Sequence, residues 1–319
     1  MNNIPSVDLS DFLSDDPSRK ERFVNELGKA YEEIGFVSLK NHFLDDKLVE
    51  DLYREVKGFF DLPKAIKETY EKPELGGQRG YVSFGKEHAK GQTKGDLKEF
   101  WHFGQEPDTT ENLPEVYPEN LEVKEQPGFY PTGMQAYRML EKTGVYILRA
   151  LALHLGLEET YFDKWVQNGS SILRPIHYPP ITQKPDGAER AAAHGEINLI
   201  TLLMGASTGG LQVMRKDGEW IDAIPAEDEL VINVGDMLER HTNNKLRSTI
   251  HRVVNPPKEE WSKPRYSIPF FMHPRADMPL NCLEECIDKD HPKAYEDITA
   301  GDFLYQRLVE IGLIKEDKK

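Results

Sequence analysis

The second half of the chain consists of short runs rich in β-branched and apolar residues. The runs are ILRPIHY (172–178), INLITLLMG (197–205), GLQVM (210–214), GEWIDAI (218–224), ELVINVGD (229–236), STIHRVVN (248–255) and RYSIPFFMH (265–273). Turn signals such as Pro-Asp-Gly, Gly-Gly and Lys-Asp-Gly separate them. Many short strands at this spacing favour a β-barrel or a double-sheet jelly roll.

Helical periodicity dominates the flanks of this β-rich part. Apolar residues recur at helical spacing before Gly35, where Phe23, Leu27, Tyr31 and Ile34 mark one face. Three more segments predict helices, at about 45–67, about 133–155 and 294–313, and FVSLKNH (36–42) predicts a strand. The fold predicted is therefore mixed α and β, with a jelly-roll core at about 170–275 between N-terminal and C-terminal helices.

The charge balance of the chain is strongly acidic. The sequence has 40 Lys and Arg against 55 Asp and Glu, a formal net charge of −15 over 319 residues. An acidic surface repels phosphate backbones, so we expect no nucleic-acid partner. It also repels small anions, so an anionic ligand would need its own local cation.

Cysteine usage and hydropathy exclude two further classes of protein. The two cysteines, Cys282 and Cys286, are too few for a disulfide framework or a four-cysteine zinc site. The N-terminus, MNNIPSVDLSDFLSDD, has no basic region followed by an apolar run, and no stretch of the sequence approaches the roughly 18 apolar residues of a membrane span. We therefore expect no membrane association and a cytoplasmic protein.

Three residues of the β-rich half have the chemistry of metal ligands. His194 and Glu196 are separated by one residue, so in an extended chain their side chains share a face. His251 lies in a later run that also predicts a strand. Two imidazoles and one carboxylate can occupy one face of a metal and leave the opposite positions open, as in non-haem Fe(II) oxygenases.

A second constellation follows in the last predicted strand. Arg265 and Ser267 share a face by the same alternation, and a guanidinium beside a hydroxyl can clamp a carboxylate. Tyr178 could add another hydroxyl donor. Each element alone has an ordinary alternative, a core or surface histidine or a surface Arg-Ser pair. Their order within one β-rich half favours a site.

With these motifs the sequence resembles the isopenicillin N synthase-like Fe(II)/2-oxoglutarate-dependent dioxygenases, and is closer to the bacterial members. The N-terminal part carries the resemblance in IPSVDLS, EIGFVSLKNH, FFDLPKAIKETY, RGYVSFG and DLKEFWHFG. The C-terminal part carries it in AHGEINLITLL, GGLQV, VINVGDMLERHTNNKLRSTIHRVVNP and RYSIPFF. The resemblance implies an N-terminal dioxygenase region over 1–130 and a catalytic region over 131–319.

The resemblance also implies residue roles. His194, Glu196 and His251 would bind Fe(II). Arg265, Ser267 and Tyr178 would bind 2-oxoglutarate, and Leu202 would line the cosubstrate pocket or belong to the core. The implied reaction couples oxidative decarboxylation of 2-oxoglutarate by O2 to oxidation of a small molecule, with hydroxylation as the default outcome.

One position departs from the family pattern. The usual carboxylate ligand in the family is Asp, whereas this chain has Glu196. The additional methylene moves the carboxylate outward by roughly 1 Å, so the side chain must curl back or the backbone must recede. Related clavaminate synthase-like oxygenases use the same His-x-Glu pattern, which keeps activity plausible.

Substrate contacts are expected near the mouth of the barrel. The candidates are Arg79, Tyr81, Phe84, Trp101 and His102, each of which has an ordinary core or surface alternative. His241, in ERHTNN, is interpreted as a solvated turn residue.

Three alternatives to the main interpretation remain open at this point. An Fe(II) oxidase of the same fold would not need 2-oxoglutarate. An atypical member would produce ethylene, or degrade 2-oxoglutarate to succinate without a substrate. A non-catalytic member would bind only a small acid or a protein. The sequence does not specify the primary substrate or the oligomeric state.

Overall fold

The computed structural model describes residues 4–87, 95–107, 117–183, 185, 188–205, 209–224, 226 and 228–310. The helices are α1 (Leu9–Phe12), α2 (Pro17–Glu33), α3 (Asp46–Phe60), α4 (Lys64–Lys67), α5 (Phe129–His154), α6 (Asp163–Val166), α7 (Asp236–His241) and α8 (Ala300–Glu310). The strands are β1 (Ser6–Asp8), β2 (Phe36–Lys40), β3 (Gly80–Val82), β4 (Glu99–Gly104), β5 (Ile172–Leu173), β6 (Ile176–Tyr178), β7 (Ala191–His194), β8 (Ile200–Met204), β9 (Leu211–Met214), β10 (Trp220–Asp222), β11 (Leu230–Val234), β12 (His251–Val253) and β13 (Arg265–Met272).

The strands form two sheets that make up the β core. The larger sheet has the order β1-β2-β11-β8-β13-β5-β4-β3, and β6 pairs with both β13 and β4. The smaller sheet has the order β10-β9-β12-β7. The predicted mixed fold with a jelly-roll core between flanking helices is confirmed.

The N-terminal part of the chain belongs to the same larger sheet as the second half. β2 pairs antiparallel with β11, with Ser38 opposite Val231, and β1 adds to β2 in parallel. All but the last residue of β2 are buried, because helices and the smaller sheet cover its two faces. The division into regions 1–130 and 131–319 stays a prediction, and the two regions share this sheet.

Three long helices pack together on the outside of the larger sheet. α5 contacts α2 and α3 on one side and β8 and β13 on the other. Gly144 allows the close approach to β13, since a Cβ there would overlap the sulfur of Met272. Between α3, α5 and β4 lies an aromatic cluster in which Phe59 stacks on Phe129 at 4.9 Å and meets Trp101 edge-on at 4.9 Å. Each such ring buries a large apolar area, so the cluster is a major contribution to the core.

Two predicted helices are shorter than their sequence patterns. α3 begins after Asp45, whose carboxylate accepts from the Leu48 amide at 2.7 Å, and ends at Phe60, shortly before Pro63. α8 begins only at Ala300, because the preceding segment is extended and Leu280 donates to the carbonyl of Ile298. The last residues of the predicted helix, 311–313, lie outside the described residues.

None of the helices in the described part of the chain combines the length and the apolar character that crossing a bilayer requires. Cys282 and Cys286 are both buried and unbridged.

Candidate metal centre and cosubstrate site

Strands β7 and β12 bring the two candidate histidine ligands together. His194 ends β7 and is the register partner of His251, the first residue of β12. Their ring centroids are 4.5 Å apart. Glu196 follows His194 after one glycine, and one ligand atom from each of the three residues lies within 4.8 Å of the others. The predicted triad is therefore assembled in space.

Hydrogen bonds fix the orientation of both rings. The Nδ1 of His194 lies 2.6 Å from the carbonyl of Ala192, and the Nδ1 of His251 lies 3.2 Å from the carbonyl of Thr249. Because a carbonyl only accepts, each Nδ1 is the protonated nitrogen and each Nε2 keeps its lone pair. The Nε2 of His251 is 3.3 Å from an oxygen of Glu196.

The electrostatics of the triad suit a metal ion. Burial, with the charge of His251 as the next contribution, lowers the pKa of His194 to about 4. Burial alone would raise the pKa of Glu196, but its neighbours His251, His194 and Arg174 outweigh it and leave that pKa below its usual value. A neutral imidazole and an ionised carboxylate are the forms that bind a divalent metal.

The backbone around Glu196 is pinned by the start of α7. The amide of Asp236 donates to the carbonyl of Glu196 at 2.6 Å. The carboxylate of Asp236 in turn accepts from the hydroxyl of Ser248 at 2.6 Å, just ahead of β12. These bonds link the backbone of one candidate ligand to the strand that carries another.

Strand β13 supplies the predicted carboxylate clamp. Arg265 and Ser267 point to the same side of the strand and both line the cavity that contains the triad. Tyr178 is the register partner of Arg265 on β6, and the guanidinium lies 4.9 Å from the centre of its ring. The three side chains are almost completely buried. In a site removed from water, a guanidinium binds a carboxylate more strongly than at the surface.

A second guanidinium lies behind the clamp and was missed from the sequence. Arg190 is buried, and its guanidinium stands 5.9 Å from the ring of Tyr178. It donates to the carbonyl of Lys263 at 3.2 Å. It precedes β7 in GAERAAAH, where no alternation of apolar and polar residues indicates a buried face.

Triad and clamp open into one cavity of about 830 Å³. Beyond the clamp, the same face of β13 continues along the wall through Pro269 and Phe271 to His273. Leu304 and Leu308 of α8 form part of another wall. The cavity is therefore apolar over much of its surface and has charged groups at a few defined places, as small-molecule sites do.

The structure divides the predicted substrate contacts into two groups. Tyr81 and His102 line the cavity. Arg79 and Trp101 are buried away from the cavity wall, and Phe84 is 51% exposed in a turn outside it. Trp101 faces the aromatic cluster because alternate residues of β4 point to opposite sides.

Leu202 also lies away from the cavity. It is fully buried and faces α5, close to Gly144. Its neighbours Thr201 and Leu203 line the cavity instead, since adjacent residues of β8 point to opposite faces.

The interpretation of His241 as a solvated turn residue was wrong. The side chain is 2% exposed. Its Nδ1 donates to the carbonyl of Asn281 at 2.7 Å, and its Nε2 accepts from the hydroxyl of Tyr161 at 3.0 Å. It joins the end of α7 to the segment that follows β13.

Arg174 is a cavity residue that sequence reasoning missed. It lies between β5 and β6 and lines the wall beside Phe271. In the sequence it stands inside ILRPIHY, which predicts one uninterrupted strand. The signal available was Pro175, which cannot donate to a strand ladder and marks the break at which Arg174 turns inward.

Comparisons with known proteins agree with this geometry. The family model described as non-haem dioxygenase in morphine synthesis N-terminal matches residues 4–123, and the model of the 2OG-Fe(II) oxygenase superfamily matches residues 169–274. A proline hydroxylase, buaE, of Petromyces alliaceus is 31% identical over 96% of this chain and 99% of its own length.

Solved structures are similar over the same extent. A 2OG-Fe(II) oxygenase family protein from Caulobacter crescentus is 43% identical with a TM-score of 0.87, covering 97% of this chain and 99% of its own. A full-length protein of Neurospora crassa, solved in complex with alpha-KG, is 33% identical with a TM-score of 0.84, covering 96% of this chain and 95% of its own.

The chain belongs to the 2OG-Fe(II) oxygenase superfamily. It is a non-haem oxygenase that uses Fe(II), 2-oxoglutarate and O2 and couples oxidative decarboxylation of 2-oxoglutarate to oxidation of a substrate. The resemblance stated from the sequence is confirmed, and the alternatives that dispense with 2-oxoglutarate or with catalysis are not favoured.

Proposed function

We propose that His194, Glu196 and His251 hold Fe(II), that Arg265, Ser267 and Tyr178 hold 2-oxoglutarate, and that the enzyme hydroxylates a small organic molecule. The observation that carries the proposal is the meeting of the triad and the clamp in one cavity. Each constellation alone has ordinary alternatives. Together they provide the metal and the anion site that a chelating keto acid needs.

The metal part of the proposal depends on the donor set. Two imidazole nitrogens and one carboxylate oxygen suit Fe(II), and a site with three protein ligands leaves coordination positions for other molecules. Both imidazoles are oriented by carbonyls that accept from Nδ1, the kind of support that fixes the tautomer of metal-bound histidines.

The cosubstrate part of the proposal depends on the charge and the burial of Arg265. The clamp lies on β13 and β6, and its buried guanidinium favours a carboxylate over any neutral group. Ser267 and Tyr178 add hydroxyl donors beside it. This is the local cation that an acidic protein needs in order to bind a dianion.

When bound, iron and 2-oxoglutarate supply the oxidising chemistry, and the protein supplies position and exclusion of water. The clamp fixes the cosubstrate at one end, and the triad fixes the metal. Phe271, with Leu304 and Leu308 of α8, contributes apolar surface to the wall of this cavity. No side chain is required as a general base.

The first experiment is an anaerobic visible spectrum of the protein with Fe(II), followed by addition of 2-oxoglutarate. We expect a weak metal-to-ligand charge-transfer band, because the keto acid chelates the iron in this cavity. The band should be lost in Glu196→Ala, which cannot hold the metal. It should require a much higher 2-oxoglutarate concentration in Arg265→Ala.

A matched control uses Arg252, which is outside the cavity wall and pairs with Gln212 on the neighbouring strand. Arg252→Ala removes the same charge and should leave the band unchanged. Iron binding without a band in the unmodified protein would contradict the proposed cosubstrate site. Absence of iron binding would contradict the proposed triad.

A further inference from the structure

Arg174 holds its guanidinium against the cavity wall between two aromatic rings. Its central carbon lies 4.4 Å from the ring centre of Phe100 and 4.9 Å from that of Phe271. Both rings also line the cavity. A guanidinium over a ring face is held by cation–π attraction, so the two rings help to fix the position of the Arg174 guanidinium.

Two hydrogen bonds fix the direction of this guanidinium. The Nε of Arg174 donates to the Nε2 of His102 at 2.5 Å. The Nδ1 of His102 donates in turn to the carbonyl of Gly77 at 2.6 Å. His102 is therefore in the neutral tautomer that can accept from Arg174. Burial and the neighbouring charge of Arg174 also lower the pKa of His102 well below its usual value.

The charge of Arg174 is already compensated within the protein. Its Nη1 lies 3.1 Å from a carboxylate oxygen of Glu87. Glu87 also contacts Lys98 at 2.7 Å, and Lys98 contacts Asp96 at 2.9 Å. These two cations and two anions are largely removed from water and sum to zero charge.

One donor of Arg174 is left over. Its Nη2 has no hydrogen-bond partner among the residues that the structure describes, and the side chain lines the cavity. The cavity thus presents a charged N–H group whose net charge is cancelled by Glu87 next to it.

The charges of the metal, its carboxylate ligand, the cosubstrate and Arg265 balance as well. With Fe(II) and dianionic 2-oxoglutarate in place, the ion and Arg265 contribute three positive charges, and the cosubstrate and Glu196 contribute three negative ones. Among these four groups no surplus positive charge remains with which to bind another anion.

We propose that the substrate offers a neutral carbonyl oxygen, as in an amide, lactam or ketone, to the Nη2 of Arg174, and that Glu87 excludes carboxylates from this place. The inference rests on the proposed function, because it takes the cavity as the substrate site of a loaded enzyme. A charged donor forms a strong hydrogen bond to a carbonyl. A carboxylate at the same point would lie next to that of Glu87, and like charges repel.

The test compares benzamide with benzoate, which have the same planar shape and differ in charge. Binding is measured by equilibrium dialysis to the enzyme loaded with Fe(II) and 2-oxoglutarate without oxygen. We expect benzamide to bind at least about tenfold more tightly than benzoate, which corresponds to about 1.4 kcal/mol.

Three variants assign the discrimination to residues. Glu87→Gln keeps the shape of the side chain and removes its charge, so it should tighten benzoate binding about tenfold and leave benzamide binding nearly unchanged. Arg174→Met should weaken benzamide binding about tenfold. Arg174→Lys, which keeps the charge but loses the fork of donors, should also weaken it.

Lys72→Gln is the matched control, since Lys72 lines the cavity but forms no ion pair with any residue in the described ranges. Lys72→Gln should leave the binding of both benzamide and benzoate unchanged. The inference would be overturned if benzoate bound the unmodified enzyme as tightly as benzamide or more tightly. It would also be overturned if benzamide did not bind detectably, or if benzamide binding were unchanged in Arg174→Met. The charge-transfer band in the same samples separates the two failures. If the band is present, only the inference fails. If the band is absent, the proposed function fails, and the inference fails with it.

Discussion

His194 and His251 stand directly opposite each other on β7 and β12, and the register between these strands shifts immediately after this pair. The irregularity lies between His251 and Val253. A slip of one residue would turn an imidazole to the other face of the sheet. The geometry of the candidate metal centre is therefore set by strand pairing, and Glu196 completes it from the loop that follows.

Removing the carboxylate of Glu196 should remove most of the affinity for Fe(II). Glu196→Ala and Glu196→Gln are each expected to weaken Fe(II) binding by more than about 100-fold, because residues that only support ligands already contribute roughly 10–100-fold. Anaerobic calorimetry measures this. Glu196→Asp tests ligand length, since its carboxylate reaches roughly 1 Å less far. Unchanged metal binding in Glu196→Gln would mean that another carboxylate is the ligand.

Truncation of the clamp should separate the cosubstrate from the metal. Arg265→Ala is expected to weaken 2-oxoglutarate binding by about 2–4 kcal/mol, because the distal carboxylate would then be buried without a counter-charge. Fe(II) affinity should change by less than about 0.5 kcal/mol, since Arg265 is not among the ligands. Titrations of each ligand followed by calorimetry give both values, and an equal loss of both would contradict the assignment.

A buried ion pair joins the N-terminal helices to the β core. Lys67 contacts both carboxylate oxygens of Glu99 at 2.8 Å, and Glu99 also accepts from Tyr81 and from the Nδ1 of His177 at 2.8 Å. Glu99→Gln should lower the free energy of unfolding by about 3 kcal/mol, because it leaves the charge of Lys67 buried without its partner. Urea denaturation measures the loss.

The double variant Glu99→Gln/Lys67→Met identifies the cause. It should lose less stability than the sum of the single variants, by about 1–3 kcal/mol, since neither charge is then left alone. An exposed pair, Lys64 with Glu68 at 3.5 Å, is the control. Its disruption should change stability by less than about 0.5 kcal/mol. Additive losses in the buried pair would contradict the interpretation.

His241 should make stability depend on pH. Burial lowers its pKa to about 4, with weaker opposing contributions from the carbonyl of Asn281 and the charge of Glu285. The unfolded chain, with a pKa near 6.5, therefore binds a proton that the folded chain excludes between about pH 6.5 and pH 4. Stability from this residue is present above that range and declines as the pH falls through it, by about 2 kcal/mol between pH 7 and pH 5.

The measurement compares unfolding free energies at pH 7 and pH 5 in the unmodified protein and in His241→Gln. Gln keeps polar groups near Tyr161 and Asn281 but does not titrate. The variant should lose less stability on acidification than the unmodified protein by about 2 kcal/mol. Equal losses would show that the folded protein accommodates a charged His241.

Alternation along strands explains which site residues the sequence could predict. The spacing of His194 with Glu196, and of Arg265 with Ser267, indicates a shared face without knowledge of the fold. That the two pairs meet in one cavity followed from the resemblance. The same alternation has no defined phase at the end of INLITLLMG, where Leu202, Leu203 and Met204 are consecutive apolar residues, and so Leu202 was named where Leu203 lines the cavity.

Other residues depend on contacts between distant segments. His241 lies in a polar stretch and looks solvated until the carbonyl of Asn281 and the ring of Tyr161 cover it. Arg174 looks like one residue of a continuous strand until Pro175 interrupts the ladder. Burial of such residues is a property of the tertiary structure, and local pattern carries little information about it.

Because β2 pairs with β11, the larger sheet cannot be completed until late in the synthesis of the chain. β2 emerges early from the ribosome, whereas its partner Val231 is added only after most of the chain has been translated. Until then the apolar strand Phe36–Lys40 has no neighbour on that side, and an unpaired edge is a template for wrong associations. The early helix α2, which packs on β2, can shield it during this interval because its apolar face forms from local sequence. The final sheet closes late, when distant parts of the chain meet.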